Sequence, residues 1–395
     1  MPWSRMNEMD SRTMFIGAWL RGEEPVIALC DRYAISRKTG YKWIERYREA
    51  GVAGLGERSS ARHTQQTQID AETAELVRAL RQQRPSWGPK KLLVRLQQDH
   101  TERTWPAAST LGDLLRREGL SQPRRRKPKA VRSGVALIEP TAPNESWAAD
   151  FKGWFRTGDG VRCEPFTMSD GYSRYLLVTQ AVPRVTVAEV RPIMIGAFRE
   201  HGLPRALRTD NGPPFARRDG LGGLTQLSVW LLMLDIWPDR IAPRRPDQNG
   251  RHERMHRVLQ EDTATPPAAT LAGQQARLDA WRVDYNTCRP HEALGQRCPA
   301  SLYCGSPRSY PASIRPWDYP VDHHVRPVLG DGYIRWRDGT VYLSGALRGQ
   351  TVAVARRDDG DWAIRFRGFD LAVLLDAGNT VKRCGLARTP LYSVT

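Results

Sequence analysis

The sequence predicts a multidomain α/β protein, with helical modules first, a mixed α/β core in the middle and a small β-rich domain last. Three observations predict it. At 395 residues the chain exceeds one average core, so two to four domains are expected. Its texture changes twice: helical periodicity gives way to alternating strands and helices at Asn144, and these to short strands with Asp-Gly turns after Pro320. The net charge of +17 is also uneven, with sixteen Lys/Arg against seven Asp/Glu over residues 61–133 but seventeen against sixteen over 134–265. A basic front part suits grip on a polyanion, nucleic acid first, while the balanced middle keeps its carboxylates for another task.

Composition excludes several classes. The six cysteines (Cys30, Cys163, Cys288, Cys298, Cys304, Cys384) form no Cys-x-x-Cys pair, so neither a zinc ribbon nor a disulfide framework is signalled. Residues Met1 to Asp10 lack the apolar core of a signal peptide. The most apolar run, Leu224 to Trp237, is interrupted by Thr225, Gln226, Ser228 and Asp235 and reads as a buried helix, not a membrane span. A soluble, cytoplasmic, nucleoid-associated protein is expected.

The first module, residues 1–60, breaks into three helical pieces: Ser11–Arg21 ended by Gly22, Glu24–Tyr33, and Arg37–Ala50 with Tyr41, Ile44 and Tyr47 at helical spacing. The short Ala34-Ile35-Ser36 joint and the basic third piece suggest a helix-turn-helix. Arg37, Lys38, Thr39, Tyr41 and Lys42 would head its recognition helix; solvated charges on an ordinary three-helix unit are the plainer alternative. The second module, residues 61–122, repeats the pattern with helices over Ile69–Arg84, from Trp87-Gly88-Pro89 through Lys90, Lys91 and Leu96, and over Ala107–Glu118. Two such modules in tandem suit an extended DNA site. Residues 123–143 then read as an exposed basic linker, in which Arg124, Arg125, Arg126 and Lys127 would track phosphates.

The core, residues 144–305, opens with a strand around Trp147–Phe155. Strands over Val161–Ser169 and Arg174–Ala181 follow, joined by a turn at Asp170-Gly171-Tyr172-Ser173. Next come a helix over Thr186–His201, a strand over Arg205–Thr209, a helix over Gly222–Asp235 and a short strand at Arg240. Three antiparallel strands followed by alternating helix and strand is the order of a ribonuclease-H-like fold. Three carboxylates fall at special places in that order: Asp150 within the first strand, Asp210 where a strand meets a Gly/Pro turn, and Glu253 on a helix behind the Pro246–Gly250 turn. With Met255 at the centre of that helix's core face, Glu253 lies about 160° away, beside Asn249, His256, Arg257 and Gln260. Hard oxygen donors from separate elements suit Mg²⁺, and three of them can hold two ions for an in-line phosphoryl transfer. Taken singly, each acid is an ordinary surface or turn residue.

In combination these residues resemble a known family. Trp147-x-x-Asp150-Phe151-Lys152-Gly153, Thr209-Asp210-Asn211-Gly212-Pro213-Pro214-Phe215 and Pro246-x-Gln248-Asn249-Gly250-x-x-Glu253-Arg254-x-His256 are similar to the Asp-Asp-Glu core of bacterial insertion-sequence transposases, in the retroviral-integrase superfamily. Tyr285-Asn286-x-x-Arg289-Pro290-His291-Glu292-Ala293-Leu294 resembles the family's trailing segment, and Ile35 to Trp43 its end-binding domain. The resemblance implies a catalytic core in which Asp150, Asp210 and Glu253 hold Mg²⁺ (with Mn²⁺ as a substitute), cleavage of 3′ strands at element ends and their joining to target DNA. It implies Arg257 beside the site on DNA phosphate, a dimer or tetramer on DNA, and an AAA-type ATPase as a possible regulator. One departure is the spacing: forty-two residues separate Asp210 from Glu253, more than in the commonest integrase pattern.

His252-Glu253-x-x-His256 also spells the zinc-peptidase signature. The pair enclosed is Arg254-Met255 and no third ligand follows clearly, Asp279 and Asp284 being weak candidates. A catalytically inactive DNA-binding relic is the other alternative, against which all three acids are present. In the transposase reading the two histidines are DNA-facing or structural neighbours of the metal site. Finally, residues 320–395 carry short strands over Val325–Leu329, Tyr333–Arg337, Thr340–Leu343, Gln350–Ala355 and Trp362–Arg367. By analogy with integrase-type proteins they suggest a small SH3-like β-barrel, whose Arg335, Arg337, Arg356, Arg357, Arg365 and Arg367 could touch DNA or simply solubilise an edge.

Overall fold

A computed structural model describes residues 8–57, 69–121, 138–217, 221–241, 250–376 and 380–388. The chain divides into two compact units, Met1–Ile69 and Asp70–Thr395.

In the first unit, α1 (Glu8–Arg21), α2 (Val26–Arg32) and α3 (Arg37–Ala50) enclose Phe15, Ile16, Leu29, Cys30, Trp43 and Ile44. The α2–α3 joint turns through Ala34 at φ 54°. Ser36 then caps α3, its hydroxyl accepting from Thr39 N at 3.1 Å, which satisfies one of the helix's orphan donors. The helices approach so closely that a Cβ on Gly40 would lie 2.4 Å from the Cys30 sulfur. Packing, not propensity, explains that glycine inside a helix.

The second unit begins with α4 (Ala71–Gln83), α5 (Pro89–Asp99) and α6 (Ala108–Arg117), which bury Val77, Trp87, Leu92, Leu96, Leu111 and Leu115. The sheet that follows comprises β1 (Trp147–Phe151), β2 (Phe155–Arg156), β3 (Arg162–Asp170), β4 (Leu176–Val182), β5 (Ala206–Thr209) and β6 (Trp237–Arg240). Its long strands lie in the order β4-β3-β1-β5-β6. β4, β3 and β1 are antiparallel, whereas β1, β5 and β6 are parallel. This is the mixed arrangement the order of elements anticipated.

Each face of the sheet carries helices, and strand alternation sorts the side chains between them. Trp147, Ala149, Phe166, Met168 and Leu207 pack with α7 (Val187–His201) and α8 (Gln226–Met233). On the opposite face, Cys163, Leu176 and Ala181 pack with Met255, Leu259, Leu278 and Trp281 of α9 (Gly250–Thr263) and α10 (Leu271–Thr287).

Two expectations shift here. The apolar run forms a shorter helix than its span suggested, because Asp235 at φ 55° ends it and β6 starts at Trp237 rather than at Arg240. Its proline sits in an edge strand, where the missing N–H costs nothing. Helix α8 is apolar all round for a reason: Leu227, Trp230 and Leu231 face the sheet core, while Val229 and Leu232 pack into the C-terminal domain.

That domain holds β7 (His324–Pro327), β8 (Tyr333–Trp336), β9 (Gly339–Tyr342), β10 (Thr351–Arg356), β11 (Trp362–Phe366), β12 (Phe369–Leu374) and β13 (Val381–Arg388). Five strands form one sheet in the order β13-β12-β11-β10-β7, with β8-β9 as a separate hairpin. Among the described residues the sheet is open, not the closed barrel expected. β12 and β13 went unforeseen. β12 returns from β11 through Arg367-Gly368, with Arg367 at φ 52°, a two-residue turn without the Asn or Asp that usually advertises one.

Candidate active site

Asp150 stands next to last on β1 and Asp210 directly follows β5. These are neighbouring parallel strands, in register at Trp147–Leu207 and Ala148–Arg208. Two residues further along each strand, Asp150 comes level with Asp210, at a strand spacing of about 4.8 Å. Both follow even-numbered residues facing α9, since the odd-numbered Trp147, Ala149 and Leu207 belong to the opposite core. Each carboxylate is steadied by backbone: Asp150 Oδ1 accepts from Phe151 N at 2.8 Å, and Asp210 Oδ1 from Gly212 N at 3.2 Å. Asn211 holds the turn by donating to Ile241 O at 2.7 Å.

Glu253 is exposed in the first turn of α9. The buried face of that helix is His252, Met255, His256, Leu259 and Thr263. The face is therefore centred near His252 and His256 and not on Met255, which leaves Glu253 on the flank, about 110° from the centre rather than 160°. His256 was expected among the polar positions and lies in the core. Both histidines meet Thr167 of β3, which is fully buried: its Oγ1 is 2.8 Å from His252 Nε2 and 2.7 Å from His256 Nε2. Burial drives the His252 imidazole down to about 4. Burial, then His252 and Lys152, drive His256 down to about 2. Both rings are neutral at pH 7. His256 Nδ1 lies 4.0 Å from Asp150 Oδ2, beyond hydrogen-bond reach.

This bonding settles the peptidase spelling. Both Nε2 atoms are committed to a threonine hydroxyl, so the two rings serve packing and hydrogen bonding. Among the described residues, no three His, Cys, Asp or Glu side chains are gathered to hold a metal ion. Asp150 and Asp210 suit Mg²⁺ in donor type and placement, whereas Glu253 is not gathered with them.

The residues expected to touch DNA divide. On α3, Arg37, Lys38, Tyr41 and Lys42 are exposed and Thr39 is half-buried beside its cap. Arg257 is exposed one turn beyond Glu253. Lys90 is exposed as well, whereas Lys91 is half-buried. Lys90 pairs with Glu292 at 2.6 Å, and burial, then Arg289, push the Lys91 ammonium down to about 8. Arg124, Arg125, Arg126 and Lys127 lie outside the described residues, as do Pro246 to Asn249.

Several C-terminal arginines are engaged within the protein. Arg337 and Arg356 bond Asp376, Arg357 bonds Asp359, and Arg365 bonds Asp370. Arg367 donates to Met233 O at 3.1 Å, so it docks the domain onto α8; Arg335 is exposed.

Sequence reasoning gave no role to two residues of consequence. Thr167 is a hydroxyl set between Phe166 and Met168 in β3, a signal that could have been read. Arg289 is 4% exposed, donates to Ser86 Oγ at 3.2 Å and meets Asp262 Oδ2 at 3.5 Å. With its guanidinium 6.0 Å from the Trp87 ring centroid, it joins the second helical module to the core.

Comparison with known proteins shows what the chain is similar to. The family model described as an integrase core domain matches residues 234–299, and one described as a homeodomain-like domain matches residues 39–115. An insertion element IS407 protein of 31.7 kDa from Burkholderia multivorans is 32% identical over 196 residues, or 48% of this chain. The chain covers 66% of that relative, just under two thirds of its length. An insertion element IS476 protein of 39.2 kDa from Xanthomonas euvesicatoria is 27% identical over 72% of this chain and 79% of its own. Among solved structures, a simian T-cell lymphotropic virus intasome with a PP2A regulatory subunit overlays at a TM-score of 0.35 and 15% identity, over 80% of this chain and 98% of that one. The HTLV-2 integrase catalytic core with magnesium overlays at 0.31 and 14% identity, over 41% and 97%. By sequence the chain is thus similar to bacterial insertion-element proteins, with a stretch matching an integrase core domain and another matching a homeodomain-like domain.

Proposed function

We propose that the chain is an active DNA transposase. Its helical modules bind the ends of a mobile element, and its core cleaves the 3′ strands and joins them to target DNA. Asp150, Asp210 and Glu253 are the catalytic carboxylates and the ligands of Mg²⁺, for which Mn²⁺ can substitute. The observation that carries this reading is the placement of Asp150 and Asp210 at the carboxyl ends of adjacent parallel strands, facing a helix that bears a third acid. Bound divalent ions would supply the charge that activates the attacking oxygen and steadies the leaving one.

The chain's own residues orient the reactants. Phe151 N and Gly212 N fix the two aspartates, so neither must reorganise as negative charge approaches. Glu253, exposed on the flank of α9, supplies the third carboxylate of the donor set. Arg257 takes a DNA phosphate one turn further along. Arg37, Lys38, Thr39, Tyr41 and Lys42 form the end-binding face of α3, while Arg124 to Lys127 follow the backbone between modules. A homodimer or tetramer brings two ends together.

The test is a strand-joining assay with Mg²⁺ on duplexes carrying the termini of the element that encodes the chain. Asp150→Asn and Glu253→Gln should each abolish joining while leaving end binding intact. Normal joining by either variant would end the catalytic assignment.

A further inference from the structure

We propose that Thr167 is a positioning residue, a hydroxyl clasp that ties the Asp150 carbonyl to His252 and His256 and so fixes the Glu253-bearing turn of α9 against β1. The inference rests on the function proposed above and extends it to a residue outside the acid set.

Counting hydrogens carries the argument. A threonine hydroxyl offers one proton and two lone pairs, and Thr167 Oγ1 has three polar neighbours. One is the Asp150 carbonyl oxygen at 3.1 Å, which can only accept. The proton goes there, and both lone pairs are left for the imidazoles at 2.8 and 2.7 Å. Each histidine must then donate from Nε2, so both rings are the Nε2–H tautomer. The hydroxyl is thereby saturated, and every group around it is matched.

The geometry also explains why the clasp bears on the site. Thr167 lies directly opposite Asp150 in the β1–β3 ladder, so its side chain rises on the same face as that carboxylate. His252 and His256 flank Glu253 in sequence and sit one turn apart on α9. Two bonds from one strand atom therefore fix both the height and the rotation of the helix turn carrying Glu253. A valine of the same shape would keep the packing and lose all three bonds.

The experiment compares Thr167→Val and Thr167→Ser in the full chain. With the same terminal duplexes and Mg²⁺, Thr167→Val should slow single-turnover joining tenfold or more and raise the half-saturating Mg²⁺ concentration, with duplex affinity within threefold of wild type. Thr167→Ser should join within threefold of wild type. A readout independent of activity is the ¹⁵N spectrum of labelled histidines without metal: His252 and His256 should both show the Nε2–H pattern, and Thr167→Val should shift at least one of them.

Wild-type joining by Thr167→Val, or equal loss in the Val and Ser variants, overturns the clasp while Asp150→Asn still tests the function separately. Should Asp150→Asn also join normally, the function fails and the imidazole spectrum alone judges the clasp. If Thr167→Val does not fold, the wild-type spectrum decides, and an Nδ1–H ring at either position refutes it.

Discussion

Truncation of Arg289 to alanine should loosen the α4–α6 module from the core. The side chain is 4% exposed and reaches Ser86 at 3.2 Å and Asp262 at 3.5 Å. A hydrogen bond from a charged group contributes about 1.5–3 kcal/mol, and a guanidinium near the limit of range over Trp87 roughly 0.5 kcal/mol more. Two facts reduce the cost. Asp262 keeps the Trp281 indole donor at 3.0 Å, so it is not stranded, and removing Arg289 relieves the desolvation that chiefly lowers its own pKa. The net expectation is a loss of about 2–3 kcal/mol. Urea denaturation measures it, and hydrogen exchange over α4–α6 should rise in parallel. Arg289→Met, which fills the space without charge, should cost less than about 1 kcal/mol. If alanine and methionine both fall within about 0.5 kcal/mol of wild type, Arg289 does not hold the module and the docking argument is wrong.

Other outcomes follow from the same contacts. Burial, then Lys91 and Arg289, drive His291 down to about 3, so the unfolded chain takes up a proton below about pH 6.5 that the folded chain refuses. Stability should fall as pH drops from about 6.5 towards 3, with roughly 1–2 kcal/mol of the loss at pH 5 due to this residue; a His291→Gln titration without a shallower slope would refute it. Thr225→Ala breaks the capping box in which Thr225 Oγ1 accepts from Ser228 N at 3.1 Å, and thermal melting should show a loss of about 1 kcal/mol. If α3 reads DNA as proposed, removing Arg37 and Lys38 together should lower the salt dependence of duplex binding by nearly two phosphate equivalents. An unchanged slope would move the interface elsewhere.

What the sequence made legible is what local patterning controls. Ser36 and the joint before it delimited α3 because a cap and a positive-φ turn are written in adjacent residues. The succession of strands and helices along the core was readable from period and spacing. The protein contacts of Lys90 and Lys91 were not legible, because a cation near a helix start looks the same whether it faces phosphate or protein. Their neighbours, Glu292 paired with Lys90 and Arg289 repelling Lys91, lie about two hundred residues on, and no local rule connects them. β12 was invisible because Arg367 occupies a turn position where asparagine or glycine normally gives the signal.

The face of α9 failed for a more instructive reason. Periodicity counts apolar residues, and on that count Met255, with Val258 and Leu259 beside it, defined the core face. The two histidines count as polar, yet once neutral and bonded to Thr167 they bury as completely as leucines would. Their chemistry suits the position better than the alternatives. Leucine at 256 would leave a Thr167 lone pair unmatched in the core, a cost of about 1–3 kcal/mol. Lysine or arginine there, with a head group near 4 Å from Asp150, would form an ion pair and occupy the carboxylate that the proposed reaction needs. A neutral imidazole satisfies the hydroxyl and brings no charge to the aspartate. The motif that spells a zinc site thus holds two neutral rings bonded to one threonine hydroxyl, which is the opposite of what its letters suggest.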